Sequence, residues 1–175
     1  MKPRAVLIGL PGSGKTTTGK RLAGLLEVTF LDSDHLVEEQ TARTIEAIFA
    51  TDGEPAFRAI EAAVVATALT GFDGVLALGG GAVVTESTRA ALARSGVPVI
   101  WLHSSVRSLA RRVGDGRGRP LLAGDARGRL AELSAAREPA YRSVATEVIT
   151  TDRRSSAKVA AEIVERLASP AGARP

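Results

Sequence analysis

Eight residues near the N-terminus carry the clearest chemistry in the sequence. Residues 9–16, GLPGSGKT, fit the pattern of a phosphate-binding loop, in which Lys and Thr follow two glycines five positions apart. Glycines let the backbone N–H groups turn inward, and the helix that follows adds the positive end of its dipole. Lys15 then offers a charge to the β- and γ-phosphates, and the hydroxyl of Thr16 can bind Mg²⁺. The run predicts a nucleoside-triphosphate site rather than a glycine-rich turn before a chance Lys-Thr pair.

Two carboxylates follow the second predicted strand. One of Asp32 and Asp34, placed near Thr16, is expected to hold Mg²⁺, because this ion takes oxygen ligands and keeps several waters. The other can position an acceptor hydroxyl and take its proton as a phosphoryl group is transferred. The alternative is that either residue only caps the helix that begins there.

Three further patterns have both a functional and a plain structural explanation. The glycines at 79–81, after an apolar strand, indicate a close backbone approach or a positive φ, and an ordinary turn is the alternative. Residues 114–119 combine glycine and arginine, which predicts a mobile lid that excludes water, or else a simple surface loop. Arg58 and Glu61 are three residues apart on a predicted helix, so a helix pair would also explain both.

The elements that position these residues alternate between strand and helix. Strands are predicted over residues 5–8, 28–31, 74–78, 97–102 and 144–150. Helices are predicted over residues 17–26, 36–40, 44–52, 55–69, 87–94, 104–113, 127–138 and 158–167. This alternation predicts an α/β fold, a five-stranded parallel sheet flanked by helices on both faces. Ligands bind at the carboxyl ends of such strands, so residues 9–16, 32–34 and 79–81 are predicted to form one site.

Length and composition narrow the class of protein. A chain of 175 residues predicts a single domain over residues 1–168, with the lid at about 114–124 and a disordered tail at 169–175. The sequence has no cysteine, which excludes disulfides, zinc–thiolate sites and thiol catalysis. It shows neither a signal-peptide pattern nor an apolar run of roughly 18 residues, so we expect a cytoplasmic protein without a membrane partner.

Arginine is concentrated in one part of the chain. Residues 107–142 hold nine Arg against four acidic residues, within a chain of net charge +4. Aromatic residues make up only 3% of the sequence, which argues against a surface that stacks nucleic-acid bases. Anionic small molecules, a polyphosphate and an acidic second substrate, fit the segment better, and a solvated helix face accounts for part of it.

The motifs together resemble those of the shikimate kinases. The phosphate-binding loop is followed by residues 31–34, 48–61, 78–82, 119–122 and 137–141 in the order and spacing of that family. The resemblance runs from about residue 2 to residue 168, and the sequence looks like an actinobacterial-type member. It implies a P-loop kinase fold with a mobile lid. It also implies ATP-dependent phosphorylation of the 3-hydroxyl of shikimate, giving shikimate 3-phosphate and ADP on the route to aromatic amino acids.

The same resemblance implies which residues bind the nucleotide and the metal. The implied ATP contacts are Gly12, Ser13, Gly14, Lys15, Thr16, Thr17, Arg112, Arg119 and Arg153. Among them, Lys15 contacts the phosphates, Arg112 lies against adenine, and Arg119 reaches from the lid to the transferring phosphate. Thr16 and Asp32 are implied to hold Mg²⁺, Asp32 through water. Residues 152–156 depart from the family, whose members often place a proline against adenine, and Arg117 receives no role.

On the acceptor side, the resemblance implies a pocket for a hydroxylated acid. Asp34 is implied to bind ring hydroxyls and to be the favoured base, with Lys15 and Arg119 as the other catalytic residues. Arg58 and Arg137 are implied to hold the substrate carboxylate, since arginine matches a carboxylate with two parallel donors. The remaining residues implied for the pocket are Glu61, Gly79, Gly80 and Gly81.

Two other functions stay open from the sequence. A related kinase acting on gluconate or a nucleoside monophosphate would share the paired carboxylates, although Arg58 and Arg137 favour an acid. A nucleotide-dependent switch would share the phosphate-binding loop, but the sequence lacks the Asn-Lys-x-Asp motif of the GTPases. We expect a monomeric kinase that takes a small-molecule substrate and has no nucleic-acid partner.

Overall fold

Five strands build the centre of the molecule. The computed structural model describes residues 1–113 and 125–169. The strands are β1 (Ala5–Ile8), β2 (Thr29–Asp32), β3 (Gly74–Ala77), β4 (Val99–His103) and β5 (Glu147–Thr150). They form one parallel sheet in the order β2-β3-β1-β4-β5, which confirms the predicted sheet. The expected lid, residues 114–124, and residues 170–175 of the expected tail lie outside the described residues.

Seven α-helices connect the strands in the described part of the chain. They are α1 (Lys15–Leu25), α2 (Ser33–Thr41), α3 (Ile45–Gly71), α4 (Glu86–Ser95), α5 (Val106–Val113), α6 (Ala126–Val144) and α7 (Ser156–Ala168). One turn of 3-10 helix, Ala82–Val84, follows the glycines at 79–81 and is not anticipated from the sequence. Across residues 1–113 and 125–169, no helix combines the length and the apolar character needed to cross a bilayer.

The sheet is covered on both faces because its central strands are apolar throughout. All four residues of β1 and all four of β3 are buried. Successive strand side chains point to opposite faces. Val6 and Leu76 therefore pack on the side of α3, α4, α5 and α6, and Leu7 and Ala77 pack on the side of α1 and α7. The carboxyl ends of β1, β2 and β3 meet at one edge, where the candidate site residues begin.

Helix α3 contains the break that the sequence predicts at Gly53. This residue has φ 80° and ψ 172°, so two helical segments meet there at a kink without a separate linker. Glycine adopts this backbone conformation at little cost, and Pro55 is tolerated because it lies in the first turn of the helical segment that follows. A small apolar cluster of Val37, Ile48, Phe57 and Val64 lies between α2 and α3, apart from the two cores on the sheet.

Helix α6 is longer than predicted. The sequence places its end at Glu138, but the helix continues through Pro139 to Val144, and β5 begins at Glu147 rather than at residue 144. Burial of Leu130 before the proline and Tyr141 after it outweighs the single backbone hydrogen bond that proline removes. The extension puts residues 137 and 141 one turn apart on the same face, which matters for the site.

Candidate active site

Residues 9–14 connect β1 to α1 in a tight loop that is rich in glycine. Gly9, Gly12 and Gly14 have φ values of 147°, 82° and 96°, in the region that favours glycine. Space is also limited, because a Cβ on Gly9 would lie 2.6 Å from the carbonyl oxygen of Leu102, and one on Gly12 would lie 2.7 Å from the Val113 side chain. Helix α1 begins at Lys15, so its N-terminus faces the loop as predicted.

The ammonium group of Lys15 lies against the loop itself. Its Nζ donates to the carbonyl oxygens of Gly9 at 2.8 Å and Leu10 at 3.2 Å. Ser13 is buried beneath the loop, whereas Gly14 and Thr17 line the cleft above it. Gly12, Ser13, Gly14, Lys15, Thr16 and Thr17, which are predicted to bind the phosphates, therefore lie together at the start of α1.

Thr16 and Asp32 meet where α1 and α2 begin. The Thr16 hydroxyl donates to Asp32 Oδ2 at 2.9 Å, and the backbone N–H of Asp34 donates to Asp32 Oδ1 at 3.2 Å. Asp32 is thus the N-cap of α2, which confirms the capping explanation. It also lies next to Thr16, and its role in holding Mg²⁺ stays a prediction. A hydroxyl and a carboxylate within hydrogen-bond distance fit Mg²⁺, which takes oxygen ligands and completes its shell with water and phosphate oxygens.

The carboxylates of Asp34 and Glu61 converge on Gly79. A Cβ on Gly79 would overlap Oδ1 of Asp34 and lie 2.5 Å from Oε1 of Glu61. Burial raises the pKa of Asp34, and the nearby charge of Asp32 adds to this effect. Burial also raises the pKa of Glu61, against the charge of Arg58. The Oε1 atom of Glu61 is buried and accepts no hydrogen bond from the described residues.

Close backbone approach, rather than positive φ, explains the three glycines. Gly79, Gly80 and Gly81 are absent from the residues with positive φ, and Gly81 has φ −108°. Instead, a Cβ on Gly80 would lie 2.8 Å from Cδ of Pro11, and one on Gly81 would overlap the Arg58 guanidinium. The positive-φ interpretation is therefore wrong, and close approach is confirmed.

Two guanidinium groups flank the same backbone. Nη1 of Arg58 donates to Glu61 Oε2 at 2.6 Å, and its Nη2 donates to Glu54 Oε1 at 2.9 Å. The predicted Arg58–Glu61 helix pair therefore forms, but at the site, because Glu61 is only 1% exposed. Arg137 is 5% exposed, and its Nη1 donates to the carbonyl oxygen of Gly80 at 2.9 Å. Helices α3 and α6 thus each deliver one arginine.

Two residues of the site receive no role from the sequence. The Ser33 hydroxyl accepts a buried hydrogen bond of 2.8 Å from the backbone N–H of Gly79. The Tyr141 hydroxyl donates to the carbonyl oxygen of Gly80, and its ring stacks on Trp101 with centroids 5.5 Å apart. Spacing offers a signal for Tyr141, which lies one helical turn from Arg137. Ser33 lies between two predicted site carboxylates, but a buried serine has no sequence pattern of its own.

Arg112 closes the nucleotide side of the loop. Its guanidinium donates to the carbonyl oxygens of Thr151 at 2.7 Å and Gly12 at 3.3 Å, and to the hydroxyls of Thr151 and Ser104 at 3.1 and 3.2 Å. Arg153, two residues after Thr151, is exposed and has φ 55°. Arg117 and the predicted catalytic Arg119 lie outside the described residues, so their assignments stay predictions.

The phosphate-binding loop and the two aspartates share a cleft of about 380 Å³, whose lining includes Gly12, Lys15, Asp32, Asp34 and Arg112. Arg58, Glu61 and Arg137 are not among its lining residues, and the cleft meets their group at Gly80. A larger cleft, of about 830 Å³, lies near the amino ends of β4 and β5. That cleft contains none of the predicted site residues. The smaller one is the candidate active site because it joins the phosphate-binding loop to the paired carboxylates.

Comparison with known proteins identifies the family. The profile of the shikimate kinase family matches residues 11–168. The chain belongs to the shikimate kinase family. A shikimate kinase of Mycobacterium tuberculosis is 51% identical over 171 residues, which cover 97% of this chain and 96% of that protein. A shikimate kinase of Rhodococcus erythropolis is 49% identical over 168 residues, which cover 95% and 98%.

Structural comparison agrees with this assignment. The Acinetobacter baumannii shikimate kinase in complex with shikimate matches with a TM-score of 0.89 at 36% identity, over 95% of this chain and 93% of that one. The resemblance drawn from the sequence is therefore confirmed, as is its actinobacterial type. The activity of a shikimate kinase is phosphorylation of shikimate with ATP as the phosphoryl donor. The comparisons favour this activity over the three alternatives left open by the sequence, which are a gluconate kinase, a nucleoside-monophosphate kinase and a nucleotide-dependent switch.

Proposed function

We propose that the cleft transfers the γ-phosphoryl group of ATP to the 3-hydroxyl of shikimate, giving shikimate 3-phosphate and ADP. The observation that carries the proposal is the convergence of Arg58, Arg137, Asp34 and Glu61 on the backbone at 79–81. Guanidinium groups bind a carboxylate, and carboxylate oxygens accept hydrogen bonds from hydroxyl groups. An acid that carries several hydroxyl groups fits this set, next to a loop suited to phosphates.

The acid half of the site, formed by Asp34, Arg58, Glu61, Arg137 and the glycines at 79–81, binds the substrate through charged side chains and through its shape. Arg58 and Arg137 bind the substrate carboxylate, and Glu61 holds Arg58 in place through its 2.6 Å contact. The unpartnered Oε1 of Glu61 accepts a hydrogen bond from a ring hydroxyl. Gly80 and Gly81 complete the pocket, and a side chain at either position would collide with Pro11 or displace the Arg58 guanidinium.

Asp34 acts on the reacting hydroxyl. Its carboxylate orients the 3-hydroxyl and accepts the proton as the hydroxyl oxygen bonds to the γ-phosphorus. The bond from the γ-phosphorus to the bridging oxygen of ADP breaks, and that oxygen keeps the electron pair. The raised pKa of Asp34 makes it a stronger proton acceptor than an ordinary exposed carboxylate.

The phosphate-binding loop, residues 9–16, binds the triphosphate in this proposal. Lys15 and the N–H groups of residues 12–17 contact the phosphates, and Arg112 and Arg153 lie on the side expected for adenine. Thr16 would hold Mg²⁺ directly and Asp32 would hold it through water, and the ion would supply positive charge beside the phosphates. Arg119 joins the transferring phosphate in this proposal, on the strength of the family resemblance.

The proposal includes a single domain over residues 1–168 that acts as a monomer in the cytoplasm, where ATP is available. Light scattering of the purified chain tests the monomer, and a dimer mass at micromolar concentration would contradict it. Fractionation of cells that express the native gene tests the location. Limited proteolysis tests the single domain, which requires one protected fragment rather than two.

The decisive experiment measures ADP release with ATP and Mg²⁺ in the presence of shikimate, quinate, gluconate or no acceptor. We expect fast release with shikimate and release near background in the other three reactions. The Asp34→Asn variant is the matched control, because it keeps the size of the side chain and removes the proton acceptor. Fast release with gluconate or without any acceptor would contradict the proposed substrate.

A further inference from the structure

Tyr141 has an unusual environment for a tyrosine hydroxyl. The side chain is 1% exposed, and its ring stacks on Trp101 with an interplanar angle of 24°. The hydroxyl, which is the only polar group of the side chain, donates to the carbonyl oxygen of Gly80. Burial raises the pKa of Tyr141 to about 12, so the hydroxyl keeps its proton at neutral pH. The residue is therefore a permanent hydrogen-bond donor to one backbone atom of the site.

That backbone atom is shared with a substrate arginine. The carbonyl oxygen of Gly80 accepts from Tyr141 and, at 2.9 Å, from Nη1 of Arg137. Both donors come from consecutive turns of α6. The shared acceptor thus fixes where the Arg137 guanidinium lies, and the buried ring of Tyr141 fixes the acceptor.

The same contact also sets the direction of a backbone donor. No cis peptide bond occurs in the described residues, and in a trans peptide the N–H points away from the preceding carbonyl. Holding the carbonyl of Gly80 against α6 therefore turns the N–H of Gly81 the other way, away from α6. Two adjacent glycines have the most backbone freedom of any pair, so this peptide gains most from being held.

We propose that Tyr141 is a positioning residue for the acid substrate, holding the Gly80–Gly81 peptide plane and, through the shared carbonyl, the guanidinium of Arg137. This inference rests on the proposed function, which assigns Arg137 and Gly81 to the acid. Tyr141 itself does not touch the substrate. We expect it to act on binding of the acid more than on binding of ATP, since its hydroxyl donates to the carbonyl oxygen of Gly80 and its ring only packs near Leu10 of the phosphate-binding loop.

The test is the Tyr141→Phe variant, which keeps the ring and its stacking on Trp101 and removes only the hydroxyl. We expect the KM for shikimate to rise about fivefold, the size of one lost neutral hydrogen bond, with the KM for ATP and kcat within about twofold of wild type. Direct titration of shikimate into the protein should show the same loss of affinity without turnover.

Thr88→Val is the matched control. Thr88 is also 1% exposed, and its hydroxyl forms no hydrogen bond with any of the described residues. Removal of this hydroxyl should leave both KM values unchanged. A Tyr141→Phe variant with a lower Tm and two unchanged KM values would overturn the inference, as would an equal rise in both. Failure of the proposed function looks different, because the wild-type chain would then show no shikimate-dependent ADP release.

Discussion

The two halves of the active site are built on different principles. The phosphate half is one run of eight residues, 9–16, whose glycines turn backbone N–H groups inward. The acid half takes Asp34 from α2, Arg58 and Glu61 from α3, and Arg137 from α6. A backbone site depends on local conformation, whereas a side-chain site depends on how three helices pack on one edge of the sheet.

The halves also differ in how charge is held. Lys15 donates to backbone carbonyls of its own loop, and its charge also acts on the carboxylate of Asp34. Asp34, Glu61, Arg58 and Arg137 are formal charges placed close together, most of them largely withdrawn from water. Removal of one partner from such a group leaves another charge buried and uncompensated, which costs more than the lost contact. The acid half should therefore be the less tolerant of the two to substitution.

Asp34→Asn separates the two halves most strongly. Loss of the proton acceptor should lower kcat by about 10²- to 10⁴-fold, the usual range for general-base catalysis, while the KM for ATP stays near wild type. Steady-state ADP release at saturating substrates measures this. Retention of more than a tenth of the wild-type kcat would show that Asp34 only orients the hydroxyl.

Lys15→Ala should have the next largest effect, and it acts from the phosphate half. Its charge stabilises the group in transfer, so we expect kcat to fall by about 10²- to 10³-fold with little change in shikimate affinity. The same assay checks this, with Lys20→Ala as the control, since Lys20 is exposed on the same helix. Near-normal turnover would contradict the assignment of the loop.

Arg58→Ala should weaken shikimate binding by about 1.5–3 kcal/mol, or roughly 10- to 150-fold, the scale of a charge-assisted hydrogen bond. Calorimetric titration with shikimate measures the change. Arg43→Ala is the matched control, because Arg43 pairs with Asp52 at 2.6 Å outside the site. Unchanged affinity combined with a lower Tm would mean that Arg58 serves only its pair with Glu61.

Gly79→Ala tests whether the close backbone approach is required. The added methyl group would overlap the carboxylate of Asp34, so we expect a loss of about 1–3 kcal/mol in the free energy of unfolding and a higher KM for shikimate. Gly24→Ala is the control, since nothing lies within 4 Å of its added Cβ. That helical change should stabilise the chain by roughly 0.5–1 kcal/mol. Equal effects of the two variants would contradict the crowded site.

The smallest expected effect is a pH dependence of stability. Burial raises the folded-state pKa of Asp34 from its ordinary value of 3.8, so the folded chain binds this proton more tightly than the unfolded chain. The stabilisation is complete below 3.8 and is lost as the pH rises through the raised pKa. Measured against pH, the Tm of the wild-type chain should fall as Asp34 loses its proton, and Asp34→Asn should remove this part of the fall in Tm. An unchanged pH profile in the variant would assign the decline to other groups, Glu61 first among them.

The position of the phosphate-binding loop could be predicted from the sequence because its information is local. The spacing of residues 9–16, between a buried strand and a helix, is enough to define the loop. The alternation of strands and helices gave the parallel sheet in the same way. The ends of helices and strands were predicted less well. Helix α6 continues through Pro139, because tertiary burial decides whether a proline ends a helix.

The roles of Arg58, Glu61 and Arg137 could be predicted only through the family resemblance, whereas the carboxylates at 32 and 34 and the glycines at 79–81 could be placed at the site from the strand order. Residue types alone left a helix pair open for Arg58 and Glu61, and an ordinary turn open for the glycines. Their meaning comes from residues far apart in the sequence, as when Arg137 meets the carbonyl of Gly80. The roles of Ser33 and Tyr141 depend on backbone contacts that have no sequence pattern, which is why both were missed.

The kink at Gly53 has a consequence for protein engineering. Helix α2 and the two segments of α3 share a small apolar core of their own, formed by Val37, Ile48, Phe57 and Val64. The same stretch of chain carries Asp34, Arg58 and Glu61. Part of the proposed acceptor pocket thus lies in one continuous segment, residues 33–64, which has an apolar core of its own, and the rest lies in Gly80, Gly81 and Arg137. Libraries confined to residues 33–64 would search for new acceptors while the triphosphate grip stays intact.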